Sequence, residues 1–101
     1  MRYAQIFRYT LDLAPEEYVA KFVDPYAKVI SNAPGLIRKT WMADFETGEF
    51  ASFYLWESKE AMDQFMAGAA IAKVAAEPFL KDLVITALPV VQGASEITRG
   101  I

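Results

Sequence analysis

Residues 36–57 read LIRKTWMADFETGEFASFYLWE, two runs of aromatic and branched residues on either side of the polar, glycine-containing turn Glu46-Thr47-Gly48-Glu49. Such runs favour the pleated, half-buried surface of a sheet, and a short turn with glycine joins them as a β-hairpin of strands Leu36 to Asp44 and Phe50 to Glu57. With Thr47-Gly48 at the tip, pairing sets Trp41 opposite Tyr54, Lys39 opposite Trp56 and Arg38 opposite Glu57, the last as a cross-strand ion pair. One alternating set carries Trp41, Tyr54 and Trp56, the other Met42, Phe53 and Leu55. A sheet with one wet face shows polar residues on one set, so this pattern predicts that both faces are covered.

The flanking sequence supplies the cover for one of them. Upstream, Arg2 to Leu11 alternates with a period of two and predicts a first strand. Pro15, followed by Glu16 and Glu17, suits the first turn of a helix, and Val19, Phe22, Val23, Tyr26, Val29 and Ile30 continue at helical spacing. Pro25 lies inside that stripe and predicts a kink or division near Asp24. Asn32-Ala33-Pro34-Gly35 ends the helix. Downstream, Ser58-Lys59-Glu60-Ala61 reads as a capping box before Met62, Phe65 and Met66, and Pro78 stops a weaker helical stretch that includes Ile71 to Ala76. Leu83 to Val91 is the last strand, apolar enough to be buried on both sides, with Pro89 pointing to an edge or bulge. Gln92 to Ile101 reads as a polar tail.

The order β-α-β-β-α-β is that of an α+β, ferredoxin-like fold, one four-stranded antiparallel sheet with both helices on one face. At 101 residues the chain is expected to be a single domain, 1–101. Hydrophobic residues make up 54% of it, more than so small an interior takes up, so a second copy covering the bare face of the sheet is expected.

Composition also narrows the chemistry. The net charge is −3 with no basic run, which argues against nucleic acid as a partner. No apolar stretch is long enough for a membrane helix, no signal pattern opens the chain, and cysteine is absent, so a cytoplasmic protein without disulfides is expected. Histidine is absent too. That rules out an imidazole base, a Ser-His-Asp triad and histidine-ligated haem or zinc.

The run Pro34-Gly35-Leu36-Ile37-Arg38-Lys39-Thr40-Trp41, the hairpin ending Phe53-Tyr54-Leu55-Trp56, the helix start Lys59-Glu60-Ala61, the proline inside the first helix and Ser95-Glu96-Ile97 near the tail together resemble the YdhR-like monooxygenase family of the dimeric α+β barrel superfamily. The resemblance spans nearly the whole chain. It implies a homodimer whose two sheets close a barrel, with a pocket in each subunit between sheet and helices. Related antibiotic-biosynthesis monooxygenases oxidise polycyclic aromatic substrates with molecular oxygen and neither metal nor flavin, and the oxygenase label of the YdhR-like branch is inherited from them by analogy of fold. The expectation is a cofactor-independent monooxygenase acting on a small aromatic molecule. An isomerase or cyclase on the same scaffold, or a non-enzymatic small-molecule-binding dimer, stays open beside it.

Lys39, Trp41 and Tyr54 are the catalytic candidates, and Trp56, Arg8 and Phe65 the substrate-binding ones. Flat rings stack on flat substrates, yet aromatic clusters are also plain core, and both readings stand for Trp41, Tyr54 and Trp56. A lysine in a strand covered on both sides either stabilises an anion such as an enolate or phenolate, or packs its stem on tryptophan with the ammonium at the rim. Arg8 is a substrate anion clamp or a solvated strand end. Phe65 belongs to a methionine-rich stripe that is core by default and adaptable as a pocket wall.

Overall fold

The computed structural model describes residues 1–101. Four antiparallel strands, β1 (Tyr3–Leu11), β2 (Leu36–Asp44), β3 (Glu49–Trp56) and β4 (Leu80–Pro89), lie in the order β2-β3-β1-β4. The helices are α1 (Asp24–Ser31), α2 (Lys59–Met66), α3 (Ala69–Ala75) and α4 (Gln92–Ile97). The fold is the ferredoxin-like α+β arrangement expected from the alternation of strands and helices.

Pro25 acts through the turn before it. A 3-10 turn, Pro15–Glu17, leads into a π-helical turn, Val19–Val23, and only then does α1 begin, with Pro25 in its first turn. Proline has no N–H to give and its ring crowds the carbonyl four residues back, so the preceding turn widens and the α-helix starts afresh. Asn32 ends α1 by donating its side-chain amide to the Lys28 carbonyl at 3.0 Å. Ser58 caps α2 by accepting from the Ala61 N–H at 3.1 Å. The third helical position is alanine, so only half of the expected capping box forms.

The hairpin register differs from the sequence expectation by two residues. Trp41 faces Ser52, Lys39 faces Tyr54 and Arg38 faces Leu55, because Asp44 pairs with Glu49 across a four-residue loop. Asp44 makes that loop: its carboxylate accepts from the N–H groups of Glu46 and Thr47, at 2.9 and 3.2 Å, and this local bond outcompetes a two-residue turn. An even shift keeps every side chain on its own face. It removes the expected Arg38–Glu57 ion pair, since the ion pairs present are Lys21–Glu17 and Lys59–Asp63.

Two irregularities adjust the edge strands. β4 shifts register between Arg8 and Thr10 of its neighbour, where Asp82 takes a positive φ of 57°, a bulge that brings Leu80 and Leu83 onto the same side. β4 is an edge strand, as Pro89 required. The expected polar tail instead forms α4, whose six residues are too few for periodicity to reveal.

One hydrophobic cluster fills the space between the sheet and α1, α2 and the turns leading into α1, built on Phe7, Tyr9, Phe22, Tyr26, Phe50, Tyr54, Trp56 and Phe65. The other face of the sheet is open over β1 and β4, although Leu55 of β3 on that same face is only 1% exposed. Ile6 is 44% exposed, Val84 59% and Leu88 64%, so the burial on both sides expected of β4 is not provided by this chain.

Gly35 joins α1 to β2 at φ 80°, and its carbonyl accepts from the Glu57 N–H at 2.8 Å. A Cβ there would clash with the Ala61 Cβ, whereas at Gly48, φ 77°, it would meet nothing. Gly48→Ala therefore carries only backbone strain, about 1 kcal/mol, and Gly35→Ala adds a clash for a total of about 2–4 kcal/mol. Urea unfolding of the two variants checks the difference, and equal losses would show that α2 yields freely.

Candidate active site

The helix-facing side of the sheet sets down a floor of rings in strand order. β1 contributes Phe7 and Tyr9, β3 contributes Ser52 and Tyr54, and β2 contributes Lys39 and Trp41 at the edge. Above them stand Phe22, Tyr26 and Ile30 from the first helical segment, Phe65 from α2, and Ala70, Ile71 and Val74 from α3. Together with Leu80 and Leu83 these residues enclose a cavity of about 30 Å³, room for water and too little for an aromatic ring.

Lys39 is the one cationic group in that wall. Its ammonium sits 3.5 Å from the centroid of the Trp41 ring and 4.7 Å from that of Tyr54. No carboxylate lies within ion-pair distance of it. Burial without a counter-charge lowers its pKa to about 7. The contact with Trp41 pulls the other way, but a cation–π interaction of about 0.5–2 kcal/mol returns only about one pKa unit. Lys39 is therefore an amine poised between charged and neutral forms near neutral pH.

The remaining polar groups are hydroxyls. Tyr9 and Ser52 share a hydrogen bond at 2.8 Å, and burial pushes the Tyr9 phenol up to about 12. The Tyr54 phenol is raised as well, mainly by burial and then by Tyr9. Tyr26 donates to the Glu77 carboxylate at 2.6 Å, tying α1 to the loop beyond α3, and its pKa is raised by burial and then by that carboxylate. All three phenols are neutral and able to donate at physiological pH.

The structure brings four of the six candidates together: Lys39, Trp41, Tyr54 and Phe65 line the cavity. Trp56 lies a layer behind. It is 0% exposed, stacks on Tyr54 with 5.9 Å between centroids and 4° between planes, and donates its indole N–H to Gln5 at 2.7 Å. That donor is consumed inside the core. Arg8 is on the opposite, bare face, beside a depression lined also by Met42, Asp44 and Glu49, and does not reach the cavity. Tyr9 and Ser52 were missed by sequence reasoning. The signal available was Ser52 itself, the small hydroxyl in the set Phe50, Ser52, Tyr54, Trp56 that otherwise carries rings.

A four-stranded antiparallel sheet joined by helices in this order defines the class, an α+β protein of ferredoxin-like fold. Within that class, residues 6–101 match the family described as "Putative mono-oxygenase ydhR"; the chain is a member of that family. None of the curated proteins compared with it matches. Among solved structures, Rv0793 from Mycobacterium tuberculosis is similar at 17% identity, with a TM-score of 0.75 over 94% of this chain and 100% of that one. SnoaB from Streptomyces nogalater, a cofactor-independent oxygenase, is similar at 18% identity, with a TM-score of 0.72 over 90% and 94%. MhuD, solved as a point mutant with two manganese protoporphyrin IX molecules bound per active site, is similar at 22% identity, with a TM-score of 0.67 over 88% and 94%. These likenesses show the shared fold.

Lys39 makes stability depend on pH in a defined window. The unfolded chain keeps its proton up to the ordinary value of 10.5 and the folded chain loses it near 7, so between those values the unfolded state binds more protons and stability rises with pH. Below pH 7 the folded protein carries the full penalty of a buried charge. Relative to Lys39→Met, the wild-type protein should gain about 1–3 kcal/mol between about pH 6.5 and 9.5. Urea unfolding of both proteins at the two pH values measures this, and parallel curves would mean that the ammonium reaches water.

Proposed function

We propose that this protein is a cofactor-independent monooxygenase that oxidises a small aromatic or polycyclic substrate in the cavity between sheet and helices. Membership of the monooxygenase family supports the reaction class, and the cofactor-independent oxygenase on the same fold supports the absence of a flavin or metal requirement. The observation that carries the reading is the Lys39 amine in an otherwise apolar and aromatic wall.

The chemistry follows from that amine. An anthrone-like substrate holds an acidic methylene across the central ring from its carbonyl and conjugated with it through the flanking rings, and neutral Lys39 takes one of its protons. The ammonium formed then pairs with the enolate, or phenolate, that the deprotonation creates, and the neutral phenols of Tyr9 and Tyr54 donate to its oxygen. The carbanion carbon gives its electrons to molecular oxygen and forms a peroxide, whose O–O bond breaks as the second hydrogen leaves the carbon. One oxygen atom stays as the new carbonyl and the other departs as water. The methylene loses four electrons and the oxygen molecule gains four, so no external reductant enters.

An aromatic ring fits only if the cover opens, and α3 is the element suited to move. It rests on Gly68 with no side-chain cap, buries no residue fully, and forms its part of the wall with Ala70, Ile71 and Val74 alone. MhuD, on the same fold, binds two manganese protoporphyrin IX molecules per active site, which supports room on this scaffold for large flat ligands.

Oxygen uptake with a panel of anthrones and quinols tests the reading. Activity should rise with pH through about 7, where Lys39 becomes neutral, and Lys39→Met should lower kcat by about 100-fold or more. An unchanged kcat in that variant would remove Lys39 from the chemistry. An amine that titrates near neutrality also returns protons, which favours an isomerase as the second reading; turnover without oxygen would select it.

We further propose that the bare face is covered by a second copy, giving a homodimer of facing sheets. Ile6, Met42, Val84 and Leu88 together expose the apolar surface that such contact removes from water. Sedimentation at micromolar concentration should find a dimer, and the double variant Ile6→Glu, Val84→Glu should be a folded monomer. A monomeric wild-type protein would overturn the assembly.

A further inference from the structure

Lys39 and Trp41 form the wall of two spaces at once. Together with Ile30 they line the enclosed cavity and also an open depression of about 240 Å³ between α1 and β2, completed by Ala27, Ser31 and Leu36. β2 is an edge strand, and the depression lies open along it beside Lys39 and Trp41.

We infer that Lys39 is a carbonyl-capture site, whose ε-amine condenses with small aromatic aldehydes and ketones seated in this depression to form a Schiff base. The inference shares the wall of the cavity but does not rest on the oxygenase reading. The Lys39 Nζ lies over the Trp41 ring, 3.5 Å from its centroid, so the indole places an apolar aromatic surface directly beside the amine for the ring of a carbonyl compound to contact. The groups that face Lys39 leave it free to act. Tyr54, Tyr9 and Tyr26, which line the enclosed cavity, are neutral phenols with raised pKa values, and Arg38 lies on the rim of the depression. The lowered pKa agrees with this placement, since a neutral amine is the nucleophile in imine formation.

The step is balanced within the two reactants. The amine nitrogen bonds to the carbonyl carbon, two protons pass from nitrogen to the carbonyl oxygen, and that oxygen leaves as water when the C=N bond is complete. No electron is gained or lost.

The test is reductive trapping of the full-length protein with benzaldehyde and cyanoborohydride under nitrogen, followed by intact mass and peptide mapping. Of the other lysines, Lys21 and Lys59 are ion-paired and Lys28, Lys73 and Lys81 are exposed. At about pH 7.5 Lys39 should be labelled about tenfold faster than any of them, as a largely neutral amine among protonated ones, with the rate rising through about pH 7. Lys39→Arg, which keeps the charge, should remove the fast label and leave the slow surface labelling. Labelling spread evenly over the surface lysines, or a Lys39 rate that rises only near pH 10, would overturn the proposal. Even labelling of the surface lysines leaves the oxygenase reading where it stands, because no oxygen is present, whereas a Lys39 rate that rises only near pH 10 would also remove Lys39 as the base of that reading.

Discussion

Trp56 and Gln5 meet in the driest part of the molecule, where the indole N–H donates to the glutamine carbonyl at 2.7 Å while the two residues are 0% and 2% exposed. A buried donor or acceptor left alone costs about 1–3 kcal/mol, so this bond is the condition under which two such large polar-tipped side chains occupy the core. It joins the two central strands, because Gln5 is on β1 and Trp56 on β3. With Trp56 held, Tyr54 stacks on it in parallel, Phe65 packs on both at 5.5 and 5.0 Å, and Phe7 closes on Tyr54 at 4.8 Å. The cavity is the space that these rigid rings leave when α3 brings only one alanine, one isoleucine and one valine to the other side.

Lys39 owes its character to the same rings. Aromatic faces tolerate a cation but do not neutralise it, and the nearest charged partners of comparable lysines on this chain are carboxylates on helix surfaces. Where Lys21 and Lys59 satisfy their charge one helical turn away, Lys39 projects from a strand toward side chains without charge. The base and nucleophile ascribed to it therefore follow from being placed on a sheet under helices, with Trp41 beneath and Tyr54 alongside.

The two sides of the sheet divide the work. The helix side carries the rings and the amine, and the bare side carries Ile6, Val84 and Leu88 together with Arg8. Arg8 shows how far strand alternation governs role: its neighbours Phe7 and Tyr9 line the cavity, and a position one residue away faces the opposite direction. Its guanidinium belongs with whatever meets the bare face.

Much of this was legible in the residues. Alternation in β1, β2 and β3, the stop at Asn32-Ala33-Pro34-Gly35 and the Ser58 cap are local preferences, and the structure honours them because no distant contact opposes them. The faces were legible even though the hairpin register was not, since the Asp44 side chain set a longer loop and the shift was even. The break at Pro25 was legible as a break, while the π-helical form it takes is a matter of backbone geometry. What only the tertiary structure decided is which rings face a cavity and which are sealed behind them. Trp41 and Trp56 look alike in sequence, one at an edge strand under Phe22 and the other in the centre against Gln5. The same holds for the state of Lys39, since the dielectric around an amine is made by Tyr26, Ile30, Ile71 and Val74, residues far along the chain that only folding gathers.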